Sequence, residues 1–115
     1  MSKREVRLLL EDILEAINKI QDYTSAMSED DFRSDSKTID AVVRNLEIIG
    51  EAANNISKSY RDQHSNVEWN QIIGMRHRII HEYFGVDENI IWFVVQNDLL
   101  RLQSDISRLL SDDQK

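Results

Sequence analysis

The run REVRLLLEDILEAINKIQDYTSAM, residues 4–27, decides the fold. Its apolar positions are Val6, Leu9, Leu10, Ile13, Ala16, Ile17, Ile20 and Tyr23, a repeat of about 3.5 residues. That spacing lines one side of an α-helix, whereas a half-buried strand would alternate every second residue. No proline or glycine interrupts the run. The whole chain has no proline and three glycines in 115 residues, which favours long helices over a turn-rich β fold.

Working outward, Ser28-Glu29-Asp30-Asp31 has the form of a capping box that opens a short turn around Phe32. A second helix is predicted over 36–57, with the stripe Ile39, Val42, Val43, Leu46, Ile49, Ala53 and Ile56. Gly50 lies inside it. Glycine is unfavourable there by about 1 kcal/mol against alanine, so a close backbone crossing is expected at that point. Residues 57–68 are polar and read as a loop with a short helical turn. A third helix is predicted over 69–85, ending at Gly85, with the stripe Trp69, Ile72, Ile73, Arg76, Ile80 and Tyr83. Asp87 is a suitable N-cap for a fourth helix, with Val86 and Ile91 spaced as a hydrophobic staple. Its stripe runs through Val95, Leu99, Leu102, Ile106 and Leu109.

These elements predict an all-α, antiparallel four-helix bundle with short extra helical turns, formed by residues 1–115 as one domain. Ile48, Ile79, Trp92, Phe93 and Leu110 lie off the main stripes. A second apolar face on so small a bundle predicts at least a dimer.

Composition narrows the function. Hydrophobic residues are 41% and charged residues 30%, ordinary for a soluble globular chain. With no cysteine, disulfides and thiolate metal sites are excluded, and the composition suits a reducing cytoplasm. No long apolar run predicts a signal peptide or a membrane span. The net charge of −7 argues against a protein that coats nucleic acid, though not against an enzyme with its cations gathered in one cleft. The densest basic cluster is Arg76, His77, Arg78 and His81.

That cluster could carry chemistry. Metal-independent RNA cleavage needs a base for the ribose 2′-hydroxyl, an acid for the leaving 5′-oxygen and a cation for the phosphorane-like transition state. Histidine titrates near neutrality, and arginine presents a planar fork to phosphate oxygens. Arg76 and His81 supply that minimum set. On an ideal helix residues five apart are turned by about 140°. A working site would then need Arg76 to bend round, or the same helix of a second subunit. Plainer readings stand beside this one. Arg76 on an apolar stripe could be the ion-pair partner of Glu47 or Glu51. A helix-end histidine could simply favour the dipole. His77 and His81 could form a two-ligand metal pair, but there is no obvious third ligand, and no metal is expected. Tyr83 could be a half-buried core tyrosine.

The pattern Arg76-x4-His81-x-Tyr83 resembles the R-x4-H-x-Y motif of the HepT-like family within the HEPN superfamily. Leu10-Glu11-Asp12-Ile13, the segment 44–52, Trp69 ahead of Gly74-Met75-Arg76, and Tyr83-Phe84-Gly85-Val86-Asp87 are also similar to that family. The resemblance implies a helical homodimer with a composite cleft, and a toxin that cuts mRNA or tRNA without a cofactor; a catalytically inactive helical subunit that binds a nucleotidyltransferase and a purely structural helical dimer are the alternatives. It implies catalysis by Arg76 and His81, supported by His77 and Arg78. It further implies an antitoxin partner, a nucleotidyltransferase of the minimal MNT type. With ATP and Mg²⁺ that enzyme would add AMP to Tyr83, placing a bulky anion beside the RNA cleft. Members often carry Asp-Leu-Pro in the last helix. Here the residues are Asp98-Leu99-Leu100, so the kink expected from proline should be absent.

Overall fold

A computed structural model describes residues 3–81 and 85–112. Helix α1 spans Lys3–Thr24, α2 Glu29–Arg33, α3 Ser36–Asn55 and α4 Lys58–Gln63. Short helices α5, Trp69–Ile73, and α6, Met75–Ile79, follow. Strands β1, Ile80–His81, and β2, Gly85–Val86, pair antiparallel, with His81 opposite Gly85 and Ile80 opposite Val86. The last helix comprises α7, Glu88–Phe93, a π-helical turn over Val94–Asp98, and α8, Leu99–Asp112. The fold is all-α, with the two-residue ladder as a local feature.

Helix α1 packs against α3 and α8, and α3 also carries α5 and α6. Leu10, Ile13, Ile17 and Ile20 of α1 meet Val42, Leu46 and Ile49 of α3 and Leu99 and Ile106 of α8 in one buried cluster. Gln103 bridges α8 to Asn18 and Gln21 of α1 at 3.0 Å each. The buried stripe of α1 closes on Thr24, not on Tyr23, which is 44% exposed. Thr24 stands four residues after Ile20 and satisfies its hydroxyl on the Ile20 carbonyl at 2.9 Å, so its methyl can enter the core.

The predicted caps form. Ser28 Oγ accepts from the Asp31 N–H and Asp31 Oδ2 from the Ser28 N–H, each at 3.1 Å, and Phe32 is fully buried behind them. Asp87 Oδ1 accepts from the N–H groups of Asn89 and Ile90.

The helix predicted over 69–85 is corrected. It breaks at Gly74, whose N–H caps α5 on the Asn70 carbonyl at 2.9 Å, and it ends at Ile79. The β-branched pair Ile79-Ile80 leads into extended backbone, a geometry such residues favour. Gly85 is a strand residue with φ +74°. The break also resets the apolar stripe, because Met75 and Ile79, four apart in α6, are both buried. Ile79, read from the sequence as lying off the stripe, is therefore core. Trp92 is likewise absorbed in part, half-buried with its ring 5.3 Å from that of Phe32.

A different irregularity stands nearby, a π turn that ends two residues before Leu100, where that proline would be. Within the π turn the Leu99 N–H reaches back five residues to the Val94 carbonyl.

Candidate active site

Two anchors fix the segment that carries the basic cluster. Beneath it, α3 presents Gly50 to the end of α5, where a Cβ would stand 3.2 Å from the Ile72 carbonyl oxygen. This is the close crossing expected from the sequence. Beyond it, the Asp87 N–H donates to the Ile79 carbonyl at 2.8 Å, tying the end of α6 to the start of α7. Met75 and Ile79 face inward, and His77 and Arg78 between them are exposed.

Arg76 lies in the first turn of α6 and His81 in β1. Their side chains, and all of Tyr83, lie outside the described residues, as does any pairing of Arg76 with Glu47 or Glu51. The backbone alone revises two expectations. His81 is not on the helix of Arg76, so the angle of an ideal helix does not relate the two residues. The helical stripe drawn from Arg76 to Tyr83 is likewise cut, since α6 ends at Ile79. The chain between the arginine and the histidine passes from helix to strand, and that passage replaces the angular mismatch from which a second subunit was inferred.

Arg78 is not a free cation. Its Nη1 donates to Asp98 Oδ2 at 2.9 Å, across to the last residue of the π turn. The pair borders a groove lined also by Ile72, Met75, Leu102, Arg101 and the buried Asp105. Asp98 is the site neighbour that sequence reasoning missed. It lies 20 residues from Arg78 in the chain, and only the fold brings the two together. Among the described residues, no group of three His, Cys, Asp or Glu side chains could hold a metal ion. His64 lies outside the segment, its ring tilted against that of Tyr60 with centroids 4.2 Å apart.

A family model described as ribonuclease HepT-like matches residues 13–109, from the middle of α1 to the last turn of α8. The chain belongs to the HepT-like family. It is 41% identical over 107 residues to a Thermococcus cleftensis protein named "Probable ribonuclease HepT", covering 93% of this chain and 97% of that one. It is 39% identical over 107 residues to a Caldanaerobacter subterraneus protein named as a candidate RNase, covering 93% and 96%. A Methanocaldococcus jannaschii protein, named as a gamma-glutamylcyclotransferase and candidate RNase, is 36% identical over 110 residues. That match takes in 96% of this chain but spans only half the length of the relative. No solved structure matches. No helix among the described residues is long and apolar enough to cross a membrane.

Proposed function

We propose that this HepT-like chain is the toxin of a toxin–antitoxin pair and an endoribonuclease that works without a metal. The observation that carries the reading is the family's own motif, Arg76-x4-His81, set within a match that spans most of the chain. Two copies supply two histidines to one cleft. One His81 imidazole takes the proton of the ribose 2′-hydroxyl, whose oxygen attacks the adjacent phosphorus. The P–O5′ bond breaks, and the second His81, as imidazolium, gives its proton to the leaving oxygen. The products carry a 2′,3′-cyclic phosphate and a 5′-hydroxyl. Arg76 stabilises the charge that builds on the phosphorus oxygens. Phe93 and Leu100, each more than half exposed, offer apolar area for the homodimer.

Control falls to an MNT-type nucleotidyltransferase. The Tyr83 oxygen attacks the α-phosphorus of ATP, held with Mg²⁺ by that enzyme, and pyrophosphate leaves. The AMP repels the RNA backbone and fills space beside the cleft. The cytoplasm, where RNA and ATP are found together, is the compartment this reading requires.

Purified protein incubated with total RNA in EDTA tests the activity. Wild type should cleave, and Arg76→Ala and His81→Ala should not while remaining folded. Cleavage that stops in chelator and returns with a divalent ion would overturn the acid–base mechanism.

A further inference from the structure

The π turn has a consequence for the groove beside the motif segment. Two regular turns on from buried Ile91, at about 3.6 residues each, fall at position 98. A regular helix would thus point a carboxylate at the core. The wide turn delays the return by one residue. Leu99 becomes fully buried, and the Asp98 side chain stays 35% exposed at the rim, where it meets Arg78. The Asn97 side-chain amide supports the turn by donating to the Phe93 carbonyl at 3.0 Å. Wide turns of this kind occur mostly as single turns within α-helices and often beside functional sites.

The pair itself adds little to stability, because it is a lone ion pair open to water. Its geometry is more specific than its energy. Arg101 approaches Glu68 on the same rim only to 3.8 Å, without a hydrogen bond, whereas Asp98 holds Arg78 at 2.9 Å. One Nη1 is engaged, and the Arg78 side chain makes no other hydrogen bond among the described residues. The remaining N–H donors of the guanidinium are left to face solvent, on a helix that carries Arg76 two positions earlier and leads to His81 three positions later.

We propose that Asp98 is a positioning residue that, set at the rim by the π turn, aims Arg78 at a backbone phosphate of the RNA strand beside the scissile one. The inference rests on the ribonuclease reading for its substrate. Arg78 would bind that phosphate through the donors Asp98 leaves open, in the ground state and the transition state alike. Its loss therefore weakens binding without slowing the chemical step. Asp98 also carries a negative charge near the RNA. If it merely stood there, removing it would strengthen binding, so the two possibilities differ in sign.

The test uses the full-length protein with Asp98→Asn, Asp98→Glu, Arg78→Ala and the Asp98→Asn/Arg78→Ala double variant, each checked by circular dichroism. KM and kcat are measured on a short oligoribonucleotide, and Kd on its uncleavable 2′-O-methyl counterpart by fluorescence anisotropy. Arg78→Ala should raise KM and Kd about tenfold, the scale of one charge-assisted hydrogen bond, with kcat changed by less than about twofold. Asp98→Asn should raise them by about threefold or more, and Asp98→Glu should recover part of the loss. The double variant should be no weaker than Arg78→Ala alone. Tighter binding by Asp98→Asn, independent effects that multiply in the double variant, or a lowered Tm with unchanged KM and Kd would each overturn the proposal. Should wild type bind but never cleave, with the Kd pattern intact, the ribonuclease reading falls and the positioning role stands. Cleavage with KM and Kd indifferent to both residues sinks the positioning role alone, and neither binding nor cleavage sinks both.

Discussion

Gly50 rests against the carbonyl of Ile72, with room for a Cβ only 3.2 Å from that oxygen and 3.6 Å from the oxygen of Ile73. A glycine in mid-helix gives up about 1 kcal/mol of helix propensity. The close approach of α5 to α3 is what that loss accommodates. The Ile72 carbonyl cannot retreat freely, because its residue is buried. Gly50→Ala should therefore destabilise by about 1 kcal/mol despite alanine's better propensity, and Gly50→Val by more, since overpacking costs of order 1–3 kcal/mol. Urea unfolding measures both. A more stable Gly50→Ala would show that the crossing is loose.

Gly85 makes a different demand. Its φ of +74° is a left-handed conformation, yet nothing lies within 4 Å of a built Cβ. The cost of substitution is thus conformational and not steric. Gly85→Ala should lose about 1–2 kcal/mol, and Gly85→Asn clearly less, because asparagine visits that region more readily. Since Gly85 pairs with His81, the alanine variant should also lose RNA cleavage before it loses helix content. Equal stability of the alanine variant and wild type would contradict the observed backbone.

Asp35 predicts an acid response. Its carboxylate accepts from the Thr38 N–H at 3.0 Å as the N-cap of α3, and that hydrogen bond holds its pKa below the usual 3.8. A depressed folded value means that the added stability is present above 3.8 and is lost as pH falls through the lower folded value. Asp35→Asn keeps a capping oxygen but has no charge to lose. The stability gap between wild type and Asp35→Asn should be open at neutral pH and close below 3.8. Paired urea titrations across that range check the sign, and a gap that widens in acid would refute it.

The long helices were legible in the sequence because their apolar positions repeat with the helical period, and the caps at Ser28 and Asp87 because the side-chain acceptor lies within three residues of its donor. What escaped depends on contacts between elements. The run over 69–85 keeps a helical pattern through Gly74, yet the approach of α3 and the bond from Asp87 to Ile79 favour a break and a strand. The π turn is set by which of Asp98 and Leu99 the core accepts. Tyr23 and Thr24 exchanged roles because one adjacent position changes the helix face, and a threonine can satisfy its hydroxyl locally. In the site, Arg76 and His81 could be singled out as candidates from residue type and from likeness to a family. The change from helix to strand between them could not, and neither could the hold of Asp98 on Arg78.

The central claim is that the motif promotes attack by a ribose 2′-hydroxyl. Its most direct test is one oligoribonucleotide prepared twice, once unmodified and once with a single 2′-deoxy sugar at the mapped cleavage position, both incubated with the protein in EDTA. The account predicts that the unmodified strand is cut to a product whose mass carries a 2′,3′-cyclic phosphate, and that the deoxy strand stays intact at that position. Equal cleavage of the two strands there, or cleavage only when a divalent ion is restored, would contradict it.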